Sequence, residues 1–179
     1  MEYPEAFLDY LIEFHCTRDY FECHEILEEY WKEDPAGERS PVWQGFIQLA
    51  VGMYHFRRDN RNGAARSLRQ ASRILGSRKN EVLGLGIDFD RLKKVLHETE
   101  QHLLDGKEYK SMEIPLINNV LSRCREKAAS AGLMWNIPSD RKNMDLIHRH
   151  KTRDRSAVIA ERQRQLELRR RNSGHPGAH

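Results

Sequence analysis

The segment from Pro41 to about Arg58 most restricts what this chain can fold into, because apolar residues cover nearly the whole circumference of its predicted helix. Proline suits the first turn of a helix, and the apolar residues that follow recur with helical spacing. A helix that is apolar all round is buried in the centre of a protein. We therefore expect a central helix that buries Trp43, Phe46, Ile47, Leu49, Ala50, Met53, Tyr54 and Phe56.

Helical spacing also recurs in the rest of the chain, and the sequence contains no convincing pair of strands. Residues 34–40, residues 59–63 and a glycine-punctuated stretch after residue 75 indicate the connections. Further helices are predicted from Pro4, from Asp19 to Glu33, from about residue 64, from Asp88 or Asp90, and from Pro115 to about Ala131. The predicted fold class is all-α, a compact multi-helix bundle over residues 1–138.

Residues 139–179 differ from the bundle in charge. They contain eleven Lys or Arg residues and five acidic residues, a net charge of +6, which leaves −3 for residues 1–138 of a chain whose net charge is +3. Residues 143–171 predict a long basic amphipathic helix, so we expect a basic C-terminal extension that is helical in part and disordered at its end. Such a tail can bind nucleic acid or an acidic protein surface. Its candidate binding residues are Arg153, Arg155, Arg162, Arg164, Arg169, Arg170 and Arg171.

The composition indicates in which cellular compartment the protein is found. No run approaches the roughly 18 consecutive apolar residues of a membrane span, and the first residues have neither a basic start nor an apolar leader. Cys16, Cys23 and Cys124 form an odd set without CxxC spacing, which argues against a disulfide framework and is typical of a reducing compartment. We expect a soluble cytoplasmic protein that does not bind a membrane.

Two helical segments near the start of the chain carry polar residues among core-type neighbours. His24 and Glu28 lie four residues apart, on the edge of the apolar face of the second predicted helix, with Glu25 beside them. On the central helix, Gln44, Gln48 and His55 form a polar stripe about 40° wide. Buried polar groups must be satisfied, because an unpaired one costs roughly 1–3 kcal/mol. We therefore expect the stripe to face His24 and Glu28 in one internal polar cluster.

The same residues carry a family resemblance. The pattern Phe14-His-x4-Tyr20-Phe-Glu-x-His24-Glu25-x2-Glu28-x2-Trp31, followed by Trp43-Gln-Gly-x2-Gln48-x-Ala-x4-His55 and Asn60-x2-Gly-Ala, resembles a bacterial and archaeal helical family. That family is catalogued as domain of unknown function 309. The resemblance covers residues 4–76 strongly and implies a small all-α bundle with an internal polar cluster. It implies no established activity, and the basic tail lies outside the family's common core.

The cluster allows three kinds of chemistry. His24, Glu28 and His55 could coordinate Zn²⁺ or Fe²⁺, with Glu25 as a further carboxylate, as facing helices of bundles do elsewhere. However, HExxE is not HExxH, and the paired Glu-x-x-His motif of di-iron bundles is absent. A hydrogen-bonded network that sets the register of two helices is the preferred interpretation, and a small-ligand or catalytic pocket is the third. A second zinc set, from the pairs His15-Cys16 and Cys23-His24, has unfavourable spacing.

The sequence therefore favours a non-catalytic interaction or ligand-binding module, and a protein is the most plausible partner. The first alternative is a metal-dependent hydrolase or oxygenase that uses His24, Glu28 and His55, with Glu25 or Gln48 handling water. The second is a nucleic-acid accessory protein that binds through the basic tail. No aromatic residue follows Trp135, which argues against recognition of bases by stacking.

Overall fold

The protein is described by a computed structural model that covers residues 2–152 and residues 156, 160, 163 and 164. Over these residues the fold is all-α, as the sequence predicts, with nine α-helices, a five-residue π-helix at Glu13–Thr17 that follows the first of them, and no strand. The helices are α1 (Glu5–Ile12), α2 (Tyr20–Glu33), α3 (Pro41–Arg57), α4 (Arg61–Gly76), α5 (Lys79–Gly84), α6 (Phe89–Leu104), α7 (Asn118–Ser130), α8 (Met144–Ile147) and α9 (Arg149–Thr152).

Side-chain caps fix the starts of the main helices. The side chains of Asp19, Asn60 and Asp88 each accept a hydrogen bond of 3.0–3.1 Å from the main-chain N–H three residues later. The side chain of Ser40 caps α3 by accepting a 3.3 Å hydrogen bond from the N–H of Val42, and Pro41 occupies the first turn of that helix. These bonds satisfy N–H groups that have no partner inside the helix. The predicted starts at Asp19, Pro41 and Asp88 are therefore confirmed.

Helix α3 is the centre of the bundle. Leu49, Ala50 and Met53 are fully buried, and both α2 and α4 pack against α3. A Cβ atom on Gly45 would lie 2.6 Å from the side chain of Leu75, and one on Gly52 would lie 2.8 Å from that of Leu68. The two glycines therefore let a neighbouring helix approach closely, and that neighbour is α4.

The chain between α4 and α7 differs from the prediction. Residues 79–84 form the short helix α5 where only a connection was expected, and α7 begins at Asn118 instead of Pro115. Pro115 lies in an extended segment, where its carbonyl accepts a 2.9 Å hydrogen bond from the N–H of Asp88. Leu116 and Ile87 form an isolated antiparallel bridge in the same place. Because proline has no N–H group that needs an acceptor, it fits this segment as well as it fits a helix start.

Residues 139–152 pack on the bundle. Leu146 and Ile147 are buried, and the ring of His150 lies against Tyr54 with centroids 5.6 Å apart. Helix α8 ends before His148 and α9 starts after it, so the helix predicted over residues 143–171 is interrupted in its described part. Most of the predicted basic extension lies outside the described residues. In the part of the chain that the structure covers, no helix has the length and apolar character needed to cross a membrane.

Candidate functional site

One turn of α2 brings together three of the predicted site residues. His24 Nδ1 lies 3.2 Å from a carboxylate oxygen of Glu25, and His24 Nε2 lies 3.5 Å from one of Glu28. Lys32, one turn later, donates to the other oxygen of Glu28 at 2.6 Å. A neutral imidazole carries one N–H and can donate to only one of the two carboxylates, whereas the protonated ring can donate to both. The spacing of these residues is that of neighbours on one helix face.

This group is half-buried. The side chains of His24, Glu25 and Glu28 retain 27%, 11% and 25% of their exposure. Each offers one ligand atom, and the three atoms lie within 4.8 Å of one another, so the group could hold a divalent ion through one nitrogen and two oxygens. Lys32 already pairs with one carboxylate oxygen of Glu28. The ligand atom from Glu28 would therefore be its other oxygen, which lies beside His24.

The structure does not bring the polar stripe of α3 into this group. Gln44 is exposed and Gln48 is half-buried, and neither side chain forms a hydrogen bond with any residue that the structure describes. His55 lies outside the set of ligand atoms around His24, and its Nδ1 instead lies 3.1 Å from the side-chain amide of Asn60. Partial burial, aided by the positive charges of Arg58 and Arg66, lowers the pKa of His55.

Aromatic packing explains this separation. Helices α2 and α3 meet where Phe21 lies against Tyr54, with ring centroids 6.1 Å apart, and where Tyr30 lies against Trp43, at 5.2 Å. Such ring pairs bury large apolar areas and favour tilted or edge-on geometry. The apolar faces therefore form the interface between the two helices, and the stripe of Gln44, Gln48 and His55 is left partly exposed.

A second histidine of the early segment, His15, lies in a different environment. Its ring is 2% exposed and stacks on Trp135, with centroids 4.6 Å apart and planes 15° from parallel. His15 Nδ1 lies 3.4 Å from the side-chain oxygen of Asn136, and the main-chain N–H of Ile114 donates to Nε2 at 3.4 Å. Burial, with the charge of Arg18, lowers the pKa of His15 to about 3, against the opposing effect of the Asn136 hydrogen bond.

These contacts define the protonation state of His15. The ring accepts a hydrogen bond at Nε2, so the proton of the neutral imidazole is assigned to Nδ1, from which it points to Asn136. A neutral buried histidine with both nitrogens satisfied has a structural role. His15 therefore holds the segments around residues 114 and 136 against the end of α1.

Arg18 ties the same segments to the start of the chain. It has a positive φ of 56° and is 2% exposed. Its guanidinium donates to the carbonyl of Met112 at 2.7 Å, to that of Ile137 at 2.8 Å and to the side chain of Asn136 at 3.0 Å. Sequence reasoning did not identify Arg18, because nothing in the neighbouring residues indicates partners about a hundred residues away.

Most of the predicted binding residues of the tail lie outside the part of the chain that the structure describes. Arg153, Arg155, Arg162, Arg169, Arg170 and Arg171 lie outside the described residues, and Arg164 is helical and exposed. Just before them, Arg149 pairs with Asp19, the capping residue of α2, at 3.1 Å. The chain therefore enters its basic tail beside the N-terminal end of α2.

Comparison with known proteins places the chain in a family. The family model described as "Domain of unknown function (DUF309)" matches residues 7–67, the segment that contains His15, His24 and His55. The chain is similar to the "Uncharacterized protein YpuF" of Bacillus subtilis (strain 168), with 45% identity over 171 residues, which is 95% of this chain and 98% of the relative. No solved structure matches the chain. On this similarity, which extends over nearly the full length of both proteins, the chain belongs to the DUF309 family.

Proposed function

We propose that this protein is a non-catalytic binding module, and that the acidic face of α2 around His24 docks a basic segment of a protein partner. One observation carries the proposal: the side chains of His24, Glu25 and Glu28 lie together on one partly exposed face of α2. Two clefts of the structure are lined by other residues and contain none of the cluster. Catalytic groups act from concave sites that exclude water, whereas partners dock on exposed faces.

The charge of α2 supports a basic partner. The helix carries five Glu residues and one Lys residue, so its surface is strongly negative. Complementary potentials speed the association of partners and select among them. Phe21, at the edge of this face, packs against both His24 and Tyr54 and so anchors the face on α3. A negatively charged helix face suits a partner helix or strand rich in Lys and Arg.

The test uses a labelled helical peptide rich in Lys and Arg, beside an analogue in which Glu replaces each Lys and Arg. We expect the basic peptide alone to bind, and Glu25→Gln/Glu28→Gln to weaken it about tenfold, equivalent to roughly 1.4 kcal/mol. The matched control is Glu98→Gln/Glu126→Gln, which removes two exposed carboxylates from α6 and α7. Equal affinity of all three proteins for the basic peptide would exclude the α2 face as the docking surface.

A divalent cation site at His24, Glu25 and Glu28 is the second candidate, because their ligand atoms already lie within 4.8 Å of one another. His55 is not part of this smaller set. We expect Zn²⁺ to bind in a titration calorimeter with one equivalent per chain, and His24→Ala to abolish the heat. His97→Ala, which removes an exposed histidine of α6, is the control. No Zn²⁺ heat in the wild type, or the same heat in His24→Ala, would rule this site out.

A cytoplasmic location belongs to the same proposal. All three cysteines are free and buried. Burial raises the pKa of Cys124 to about 12, so its thiol stays protonated and unreactive. Free thiols are typical of proteins kept in a reducing compartment.

A further inference from the structure

A cleft that His15 and Trp135 help to line carries features of a ligand site that sequence reasoning did not identify. It has a volume of about 600 Å³ and lies between the start of α6, the extended segment before α7, α7 itself and the loop that contains Trp135. Clefts of roughly 300–1,000 Å³ accommodate small molecules. We propose that this cleft binds a small organic anion, a carboxylate or a phosphate monoester attached to a planar apolar body.

Two arginines provide the anion-binding chemistry. Arg91 of α6 and Arg125 of α7 line the cleft, and neither guanidinium forms a hydrogen bond or ion pair with any residue that the structure describes. By contrast, the guanidiniums of Arg18, Arg57 and Arg61 are all held by carbonyl oxygens. A guanidinium presents a planar fork of N–H donors that matches carboxylate and phosphate oxygens.

The cleft keeps a net positive charge. Among the described residues that line it, Glu113 is the only one with a carboxylate, which accepts a hydrogen bond from the side-chain amide of Asn136. His15 contributes no charge because it is neutral. Two arginines against one glutamate leave the cleft with an excess of one positive charge, so an anion entering it gains a favourable potential.

The apolar walls favour a planar body on the anion. Trp135 lines the cleft and is braced by its stack on His15, which is itself held by Ile114 and Asn136. Aromatic faces bind planar groups by offset stacking. Pro115, Leu116 and Leu121 supply the remaining apolar surface. A cleft lined by an aromatic ring, apolar side chains and two guanidinium donors suits a ligand with one flat apolar end and one anionic end.

The experiment titrates phenyl phosphate, benzoate, benzyl alcohol and inorganic phosphate into ¹⁵N-labelled full-length protein, and follows the indole N–H signal of Trp135. We expect saturable shifts with phenyl phosphate or benzoate, and the stronger of the two identifies the anionic group. Arg91→Gln/Arg125→Gln is expected to weaken that binding at least about tenfold. Arg69→Gln/Arg73→Gln, which removes two exposed arginines from α4, is expected to leave it unchanged.

Three results would overturn the inference: no saturable shift with either aromatic anion at millimolar concentration, equal affinity in Arg91→Gln/Arg125→Gln, or equally tight binding of benzyl alcohol. Inorganic phosphate binding as tightly as phenyl phosphate would overturn the planar-body requirement. Melting temperatures of all variants show whether a loss of binding reflects unfolding. The site is independent of the α2 face, so Glu25→Gln/Glu28→Gln is expected to bind the anion as the wild type does.

Discussion

His15 and His24 lie nine residues apart in the same family-matched segment, yet the fold places them in opposite situations. His15 is 2% exposed, stacked on Trp135 and satisfied at both nitrogens. The side chain of His24 keeps 27% of its exposure and faces two carboxylates on its own helix. A shared motif therefore contains one histidine that holds distant segments together and one that remains accessible on the surface.

The difference shows that helical spacing predicts neighbours within a helix better than it predicts burial. The contacts of His24 are local, one and four residues along α2, and can be found on a helical wheel. The contacts of His15 come from residues 114 to 136, and only the packed chain reveals them. Mutations that disturb one region and not the other can test this comparison.

The largest expected effect is that of Arg18→Asn. Asparagine tolerates the positive φ of this position but removes the guanidinium, which takes the donor from the carbonyls of Met112 and Ile137 and one of two donors from the Asn136 side-chain oxygen. We expect the free energy of unfolding to fall by about 3 kcal/mol in urea denaturation. Arg73→Asn, at an exposed position of α4, is the control. A loss below about 1 kcal/mol for Arg18→Asn would show that Arg18 does not anchor the His15 region.

His15 is expected to make the stability of the protein depend on pH. Its pKa is about 3 when folded and 6.5 in the unfolded reference, so between these values the unfolded chain binds one more proton. The contribution of neutral His15 to the free energy of unfolding is complete above about pH 6.5. It is lost as the pH falls toward 3, by about 1.4 kcal/mol per pH unit. His15→Gln should remove this slope from the stability curve measured by urea denaturation between pH 7 and 4.

His97→Gln is the control for that measurement, because His97 is an exposed residue of α6. It should leave the slope as it is in the wild type. A His15→Gln curve parallel to the wild-type curve over this pH range would mean that His15 is not held neutral in the folded chain.

A small effect is expected for His24→Ala. The contacts of His24 are partly exposed, and exposed ion pairs contribute roughly 0–1 kcal/mol. We expect the free energy of unfolding to change by less than about 1 kcal/mol, and the change to shrink further in high salt. A loss of more than about 2 kcal/mol would favour the structural network that the sequence predicted, and would weaken the proposal of a docking face.

The nucleic-acid alternative calls for a deletion of residues 153–179. The cut follows Thr152 because Leu146 and Ile147 are buried in the bundle and must remain. If the tail binds phosphate, the deletion should lower affinity for double-stranded DNA at low salt and flatten its dependence on salt concentration. Unchanged affinity and an unchanged salt slope would remove nucleic acid from the candidate partners.

The sequence alone predicted the all-α class, the central position of α3, the cap at Asp19, a helix start at Asp88 or Asp90, and the grouping of His24 with Glu25 and Glu28. Each of these depends on residues within a few positions of one another, where helical geometry sets the distances. The short helix α5 and the late start of α7 were missed, because glycines and a proline are compatible with both a connection and a helix end.

Only the tertiary structure decided where the polar residues lie. It left Gln44, Gln48 and His55 outside the His24 group, buried His15 and Arg18 against residues 112–137, and formed the cleft between Arg91 and Arg125. These outcomes depend on contacts between residues far apart in the chain, which are selected by the burial of aromatic rings and the pairing of buried polar groups. Local periodicity contains no information about such contacts, because they depend on how the helices pack against one another.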